Sequence, residues 1–163
     1  MNKILSIVIV SAALLGILFL LGKNTPPPAG TNPLASALSA AEEKSFDFGT
    51  ISMAKGPVSH AFKLANASGA PVGVKTITTS CMCTTAYLTT SAGRKGPFGM
   101  PGHGGPAGRL NATMAPNETW DLEVVFDPAA HGPAGVGPVT RSVFVDDDTG
   151  GTLEFTIKAL VTP

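Results

Sequence analysis

The chain predicts an all-β fold, an antiparallel sandwich of about seven strands, carried behind one N-terminal transmembrane helix. Three observations predict it. A long charge-free run, Ile4 to Leu21, opens the sequence. After Ser45 the apolar residues fall in short alternating runs rather than at helical spacing. Finally, 19 glycines and 14 prolines among 163 residues punctuate those runs with turn signals.

The apolar run, between Lys3 and Lys23, reaches about 27 Å as a helix, close to the hydrocarbon thickness of a bilayer. A cleavable secretory signal has a shorter apolar region, roughly 7 to 15 residues, followed directly by a small-x-small site. Leu20-Leu21-Gly22-Lys23 offers none, so residues 1–23 read as an uncleaved anchor. The N-terminus is expected in the cytoplasm and the long remainder outside it, which places the protein at the cell membrane as a single-pass chain. Residues 24–44, rich in Pro, Ala, Ser, Thr and Gly and opening with Pro26-Pro27-Pro28, read as a linker. The proline run favours an extended spacer, and Ala35 to Glu43 has the composition for a short frayed helix. Residues 45–163 suffice for one domain with its own core.

Within that domain the first strand is Ser45 to Phe48, closed by Gly49. Val58 to Leu64 follows, with Val58, His60, Phe62 and Leu64 on one face, so His60 is expected on the core side. Asn66-Ala67-Ser68-Gly69 is a turn. A third strand is expected over Val72 to Thr78, and a fourth from Cys81 and Cys83 through Thr89. Trp120 to Phe126 alternates until Asp127-Pro128 stops it, and Thr140 to Val145 and Leu153 to Val161 complete the set. Short strands at this spacing argue for an immunoglobulin-like sandwich. Residues 91–111, crowded with Gly and Pro, read as a mobile insert without a strand ladder.

Composition excludes one class of partner. Eleven Lys and Arg balance eleven Asp and Glu, and with no basic run the footprint that neutralises phosphates is missing, so no nucleic acid is expected.

Phe46-Asp47-Phe48-Gly49-Thr50-Ile51, His60-x-Phe62, Asn66, Ser80-Cys81-x-Cys83-Thr84 and Phe126-Asp127-Pro128 occur in that order. In these motifs the chain resembles domain of unknown function 1573, an uncharacterised, usually exported bacterial family. The resemblance implies an immunoglobulin-like fold, similar to the domains of ciliary and centrosomal proteins that serve mainly as interaction modules. The family typically has glycine between its cysteines, where this chain has Met82, which adds a thioether and removes backbone freedom.

Cys81 and Cys83 are the only cysteines. On an extended strand, residues two apart have Cα atoms about 6.6 Å apart with diverging Cβ atoms, so a disulfide between them needs a bulge or turn. Left extended, the thiols stay free, share a soft metal, or pair with another molecule. Cuprous copper fits a two-thiolate clamp, with Met82, Met100, His103 and Met114 nearby in sequence. The candidate metal ligands are therefore Cys81, Cys83, Met100 and His103. A closed zinc site lacks recognisable ligand spacing. A thiol-redox role lacks a thioredoxin-like βαβ framework or a helix N-terminus beside the thiols. His103 and His131, set among glycines and prolines, read as solvated loop residues, and Asp146-Asp147-Asp148 as a solvated hairpin. The expected function is a membrane-anchored, extracytoplasmic binding or scaffolding module with a protein partner in the cell envelope. It is expected to be no enzyme and to need no cofactor. The alternatives are a Cu(I)-binding protein using the cysteine pair and a thiol-disulfide redox protein.

Overall fold

The computed structural model describes residues 35–103 and 108–163. The anchor expected over 1–23 and the first half of the linker lie outside the described residues. Among those described, no helix is long and apolar enough to cross a membrane.

Ten strands among the described residues form a two-layer β-sandwich: β1 (Ser39–Ala40), β2 (Ser45–Ser52), β3 (Val58–Ala65), β4 (Val72–Thr79), β5 (Thr84–Thr90), β6 (Gly93–Phe98), β7 (Arg109–Met114), β8 (Thr119–Phe126), β9 (Gly137–Asp147) and β10 (Thr152–Thr162). One sheet has the order β1-β3-β8-β5-β6 and the other β2-β10-β9-β4-β7. The alternation read from the sequence sets which face is buried. In β8, Trp120, Leu122, Val124 and Phe126 turn inward, and in β10 Leu153, Phe155, Ile157, Ala159 and Val161 do so. Phe62 of one sheet meets Phe155 of the other with ring centroids 5.0 Å apart, so the core closes between the layers.

Several expectations are corrected. The strands number ten among the described residues rather than about seven. The sheets are not wholly antiparallel, because β10 pairs with β2 in parallel. These strands lie near opposite ends of the domain, so no hairpin dictates their direction and the intervening chain serves as the crossover. Gly49 does not close the first strand. It takes φ +67° in a bulge opposite Lys158 and Leu160, donates its N–H to Asp47 Oδ1 at 2.8 Å, and β2 runs on to Ser52.

The helix allowed over 35–43 does not form. Asp147 Oδ2 accepts from Ser36 Oγ and Ala37 N, Leu38 buries in the core, and Ser39 pairs with Ala65, so tertiary contacts override propensity. Finally, the 91–111 insert carries structure. Thr90 Oγ1 accepts from Ala92 N and donates to Gly93 O, the chain reverses, and β6 pairs with β5 while Phe98 buries. Residues 109–114 pair with β4. His60 is only half-buried, stacked on Phe46 at 3.7 Å with Nε2 3.0 Å from Glu43 Oε1. Asp147, expected in solvent, is 2% exposed.

Candidate functional site

The cysteines sit in the passage from β4 in one sheet to β5 in the other, and that passage is a turn rather than the start of a strand. Thr84 N donates to Cys81 O at 3.1 Å, and the buried Thr79 hydroxyl sits 2.9 Å from Cys81 O and 3.1 Å from Thr84 O. Folding the chain this way brings Cys81 Sγ and Cys83 Sγ to 2.7 Å, a proximity that an extended segment forbids. Cys83 is 2% exposed, Cys81 is half-buried, and Met82 between them is 54% exposed.

A second crossing between the sheets, from β8 to β9, ends up beside the first. Thr84 pairs with Phe126, which sets the exit of β8 against the start of β5, and Asp127 N donates to Cys83 O at 2.9 Å. Asp127 then caps its own turn by accepting from Ala129 N, and the chain curls through a 3₁₀ turn at Gly132–Gly135. That curl brings His131 Nε2 to 3.1 Å from Cys81 Sγ. On the other side, Ser80 N donates to Ser142 O and Ser142 N to Ser80 Oγ, so β9 is held against the turn. The preceding residue, Arg141, donates from Nε to Cys83 Sγ at 3.2 Å. A cleft of about 330 Å³ opens alongside, lined by residues of the β8–β9 passage and β9 that include His131, Val136 and Arg141.

The electrostatics separate the two thiols. Partial burial works to raise Cys81, but hydrogen bonds from the Cys83 side chain and backbone and from His131, with the charge of Arg141, outweigh it and bring the thiol down to about 7. Burial pushes Cys83 up, and its donated hydrogen bond to Cys81 adds to this against the opposing Arg141 contact. Cys81 is thus the thiol that ionises more readily and Cys83 the one that keeps its proton.

Of the residues expected from the sequence, Cys81 and Cys83 are brought together. Among the described residues, Cys81, Cys83 and His131 each place one ligand atom within 4.8 Å of the others. His103 is not in that group and lies exposed in the turn after Met100, which is half-buried. Their segment begins at Gly99, whose carbonyl accepts from Thr79 N. His131 and Arg141 went unrecognised because both reach the thiols through strand register and not through spacing along the chain.

Residues 39–99 match the family model described as "Protein of unknown function (DUF1573)". The matched stretch is 61 of the 163 residues. It includes both cysteines, whereas His131 and Arg141 lie beyond it. No curated protein matches the chain. Among solved structures, a protein of unknown function from Porphyromonas gingivalis W83 is 13% identical with a TM-score of 0.54, covering 80% of this chain and 51% of its own. The VesB protease of Vibrio cholerae is 15% identical with a TM-score of 0.50, over 76% of this chain and 32% of that one. The ASH/PapD-like domain 7 of human CEP192 is 13% identical with a TM-score of 0.47, over 85% and 94%. This chain therefore spans about half the length of the Porphyromonas structure. At these identities the likeness is one of fold alone, a two-sheet β-sandwich.

Proposed function

We propose that this chain is an extracytoplasmic binding module of the cell envelope, tethered by residues 1–23, and that its site takes a soft monovalent cation, Cu(I). The observation that carries the reading is the convergence of Cys81, Cys83 and His131 within 4.8 Å. Two sulfurs and one imidazole form a soft, three-membered donor set suited to cuprous ion. His131 thus takes the third place expected of Met82, Met100 or His103. Charge argues the same way. Two thiolates around a monovalent ion leave one net negative charge, and the Arg141 guanidinium against Cys83 Sγ offsets it. Zinc on the same donors would be neutral already, so Arg141 would add an uncompensated positive charge, and a structural zinc site calls for a fourth ligand. Loading parts the sulfurs, now 2.7 Å apart, so the turn opens on binding.

Anaerobic titration of the reduced full-length chain with cuprous ion against a competing chelator tests this. One equivalent should be held, lost in the Cys81→Ser, Cys83→Ser double variant, and weakened at least about tenfold in His131→Ala, the scale lost even when an outer-shell partner is removed. Uptake unchanged in the double variant, or a preference for zinc, would sink the reading.

A further inference from the structure

We infer that the cysteine pair also carries out dithiol-disulfide exchange, with Cys81 as the attacking sulfur, Cys83 as the resolving sulfur and a small-molecule or peptide disulfide as the oxidant. The inference concerns the same site as the cation reading but does not depend on it.

Three features of the geometry carry it. First, the 80–83 turn brings the two sulfurs to 2.7 Å, so only a small further approach separates the dithiol from a bond of about 2.05 Å. Second, access is unequal. Cys81 is half-buried and reachable from solvent, whereas Cys83 is 2% exposed. An incoming disulfide therefore meets Cys81 first, and Cys83 lies directly behind it. Third, each sulfur has a polar partner suited to its part. His131 Nε2 lies 3.1 Å from Cys81 Sγ, where it holds the attacking sulfur in place, and Arg141 Nε lies 3.2 Å from Cys83 Sγ, where its positive charge faces the resolving sulfur. Both of these residues line the adjoining cleft of about 330 Å³, which gives the oxidant a place to lie against a positive charge.

The step balances as follows. The Cys81 thiolate attacks one sulfur of R–S–S–R, the S–S bond breaks, and one RS⁻ leaves and takes up a proton. Cys83 Sγ, losing its proton, then attacks Cys81 Sγ in the mixed disulfide and expels the second RS⁻. The protein loses two electrons and two protons, the oxidant gains them as two RSH, and the reverse reaction returns them.

The test is incubation of the metal-free, reduced full-length chain in oxidised and reduced glutathione at graded ratios, followed by acid quenching, maleimide labelling and intact-mass measurement. Wild type should lose both labels together and two hydrogens in mass as the oxidised fraction rises. Cys83→Ser should stop at a glutathione adduct on Cys81. In Cys81→Ser the buried Cys83 should react at least about tenfold more slowly, as burial restricts thiol access. Labelling of both thiols under fully oxidised glutathione, or a stable glutathione adduct on wild type without closure, would overturn the inference. The oxidised chain should also lose cuprous competition and recover it on reduction. A chain that binds copper but stays a dithiol fails this inference alone, and one that oxidises but holds no copper fails only the cation reading.

Discussion

At the residue scale the site is an arrangement of four side chains whose individual properties come from what surrounds them. Cys81 and Cys83 are the same chemical group two positions apart, yet burial raises one while donated hydrogen bonds and Arg141 bring the other down to about 7. Reactivity should follow. In the reduced, metal-free chain, alkylation of Cys81 by iodoacetamide should rise with a midpoint near pH 7, while Cys83 stays unlabelled under conditions that preserve the fold. His131→Ala removes one of the hydrogen bonds that lower Cys81, so the midpoint should move up. A Cys81 midpoint near the ordinary thiol value of about 8.5, measured by mass-resolved labelling rates, would show that these contacts do not hold in solution. Neither His131 nor Arg141 could be read from the sequence as part of this group. They lie far along the chain from the cysteines, and only the pairing of Thr84 with Phe126 and the clasp between Ser80 and Ser142 bring them in. The pair itself was legible because it is the chain's only cysteine pair. Its turn was not, since alternation in the flanking strands runs up to it from both sides.

At the scale of elements, the strands that were legible are those with one buried face: β3, β8 and β10 show their alternation in sequence because every second side chain leaves water, and β4 shows it on either side of a shift between Val74 and Thr76. Strand β6 was invisible because it is an edge strand, exposed from Gly93 to Pro97, with Phe98 alone buried. The segment 35–40 was hidden for another reason, since its partner is a carboxylate on a distant hairpin. Asp147 Oδ2 takes Ser36 Oγ at 2.7 Å and Ala37 N at 2.8 Å, while Oδ1 takes Thr149 and Gly151. Gly151 packs so closely on the Ser36 backbone that an added Cβ would collide with it. Asp147→Ala should therefore cost at least about 2 to 3 kcal/mol, since even one hydrogen bond to a charged group is worth roughly 1.5 to 3, and should release the amides of Leu38, bonded to Ser36 Oγ, and Ala41, bonded to Lys63 O, to fast exchange. Burial works to raise the Asp147 carboxyl, but the Thr149 and Ser36 hydroxyls and the Gly151 and Ala37 amides outweigh it and hold it below the ordinary aspartate value. A depressed folded-state value means that this stabilisation is present above about pH 4 and is lost as pH falls through the lower, folded value. Chemical denaturation at pH 7 and at about pH 3 should show a steeper acid loss in wild type than in Asp147→Asn. Equal losses would mean that the carboxylate is not the acid-sensitive latch.

At the scale of the molecule, the site belongs to neither sheet alone. The cysteine turn crosses from one layer to the other, and the His131 passage crosses back beside it. What fixes the four side chains is therefore the registration of the layers, and the residues that set it are in the core, with Phe62 against Phe155 at the junction. Phe62→Ala should cost about 3 to 5 kcal/mol, as loss of a large buried ring commonly does. If the site is as firmly held as the core, Cys83 becomes accessible only when the sandwich unfolds as a whole. Its alkylation rate in native buffer should then rise roughly a hundredfold or more in Phe62→Ala, about tenfold for each 1.4 kcal/mol of stability lost. The exposed side of Cys81 should label at nearly the wild-type rate in the same sample, because it needs no unfolding to be reached. A Cys83 rate that ignores the core substitution would mean that the 80–83 turn opens on its own, and the pair would then meet solvent without any change in how the two sheets are packed.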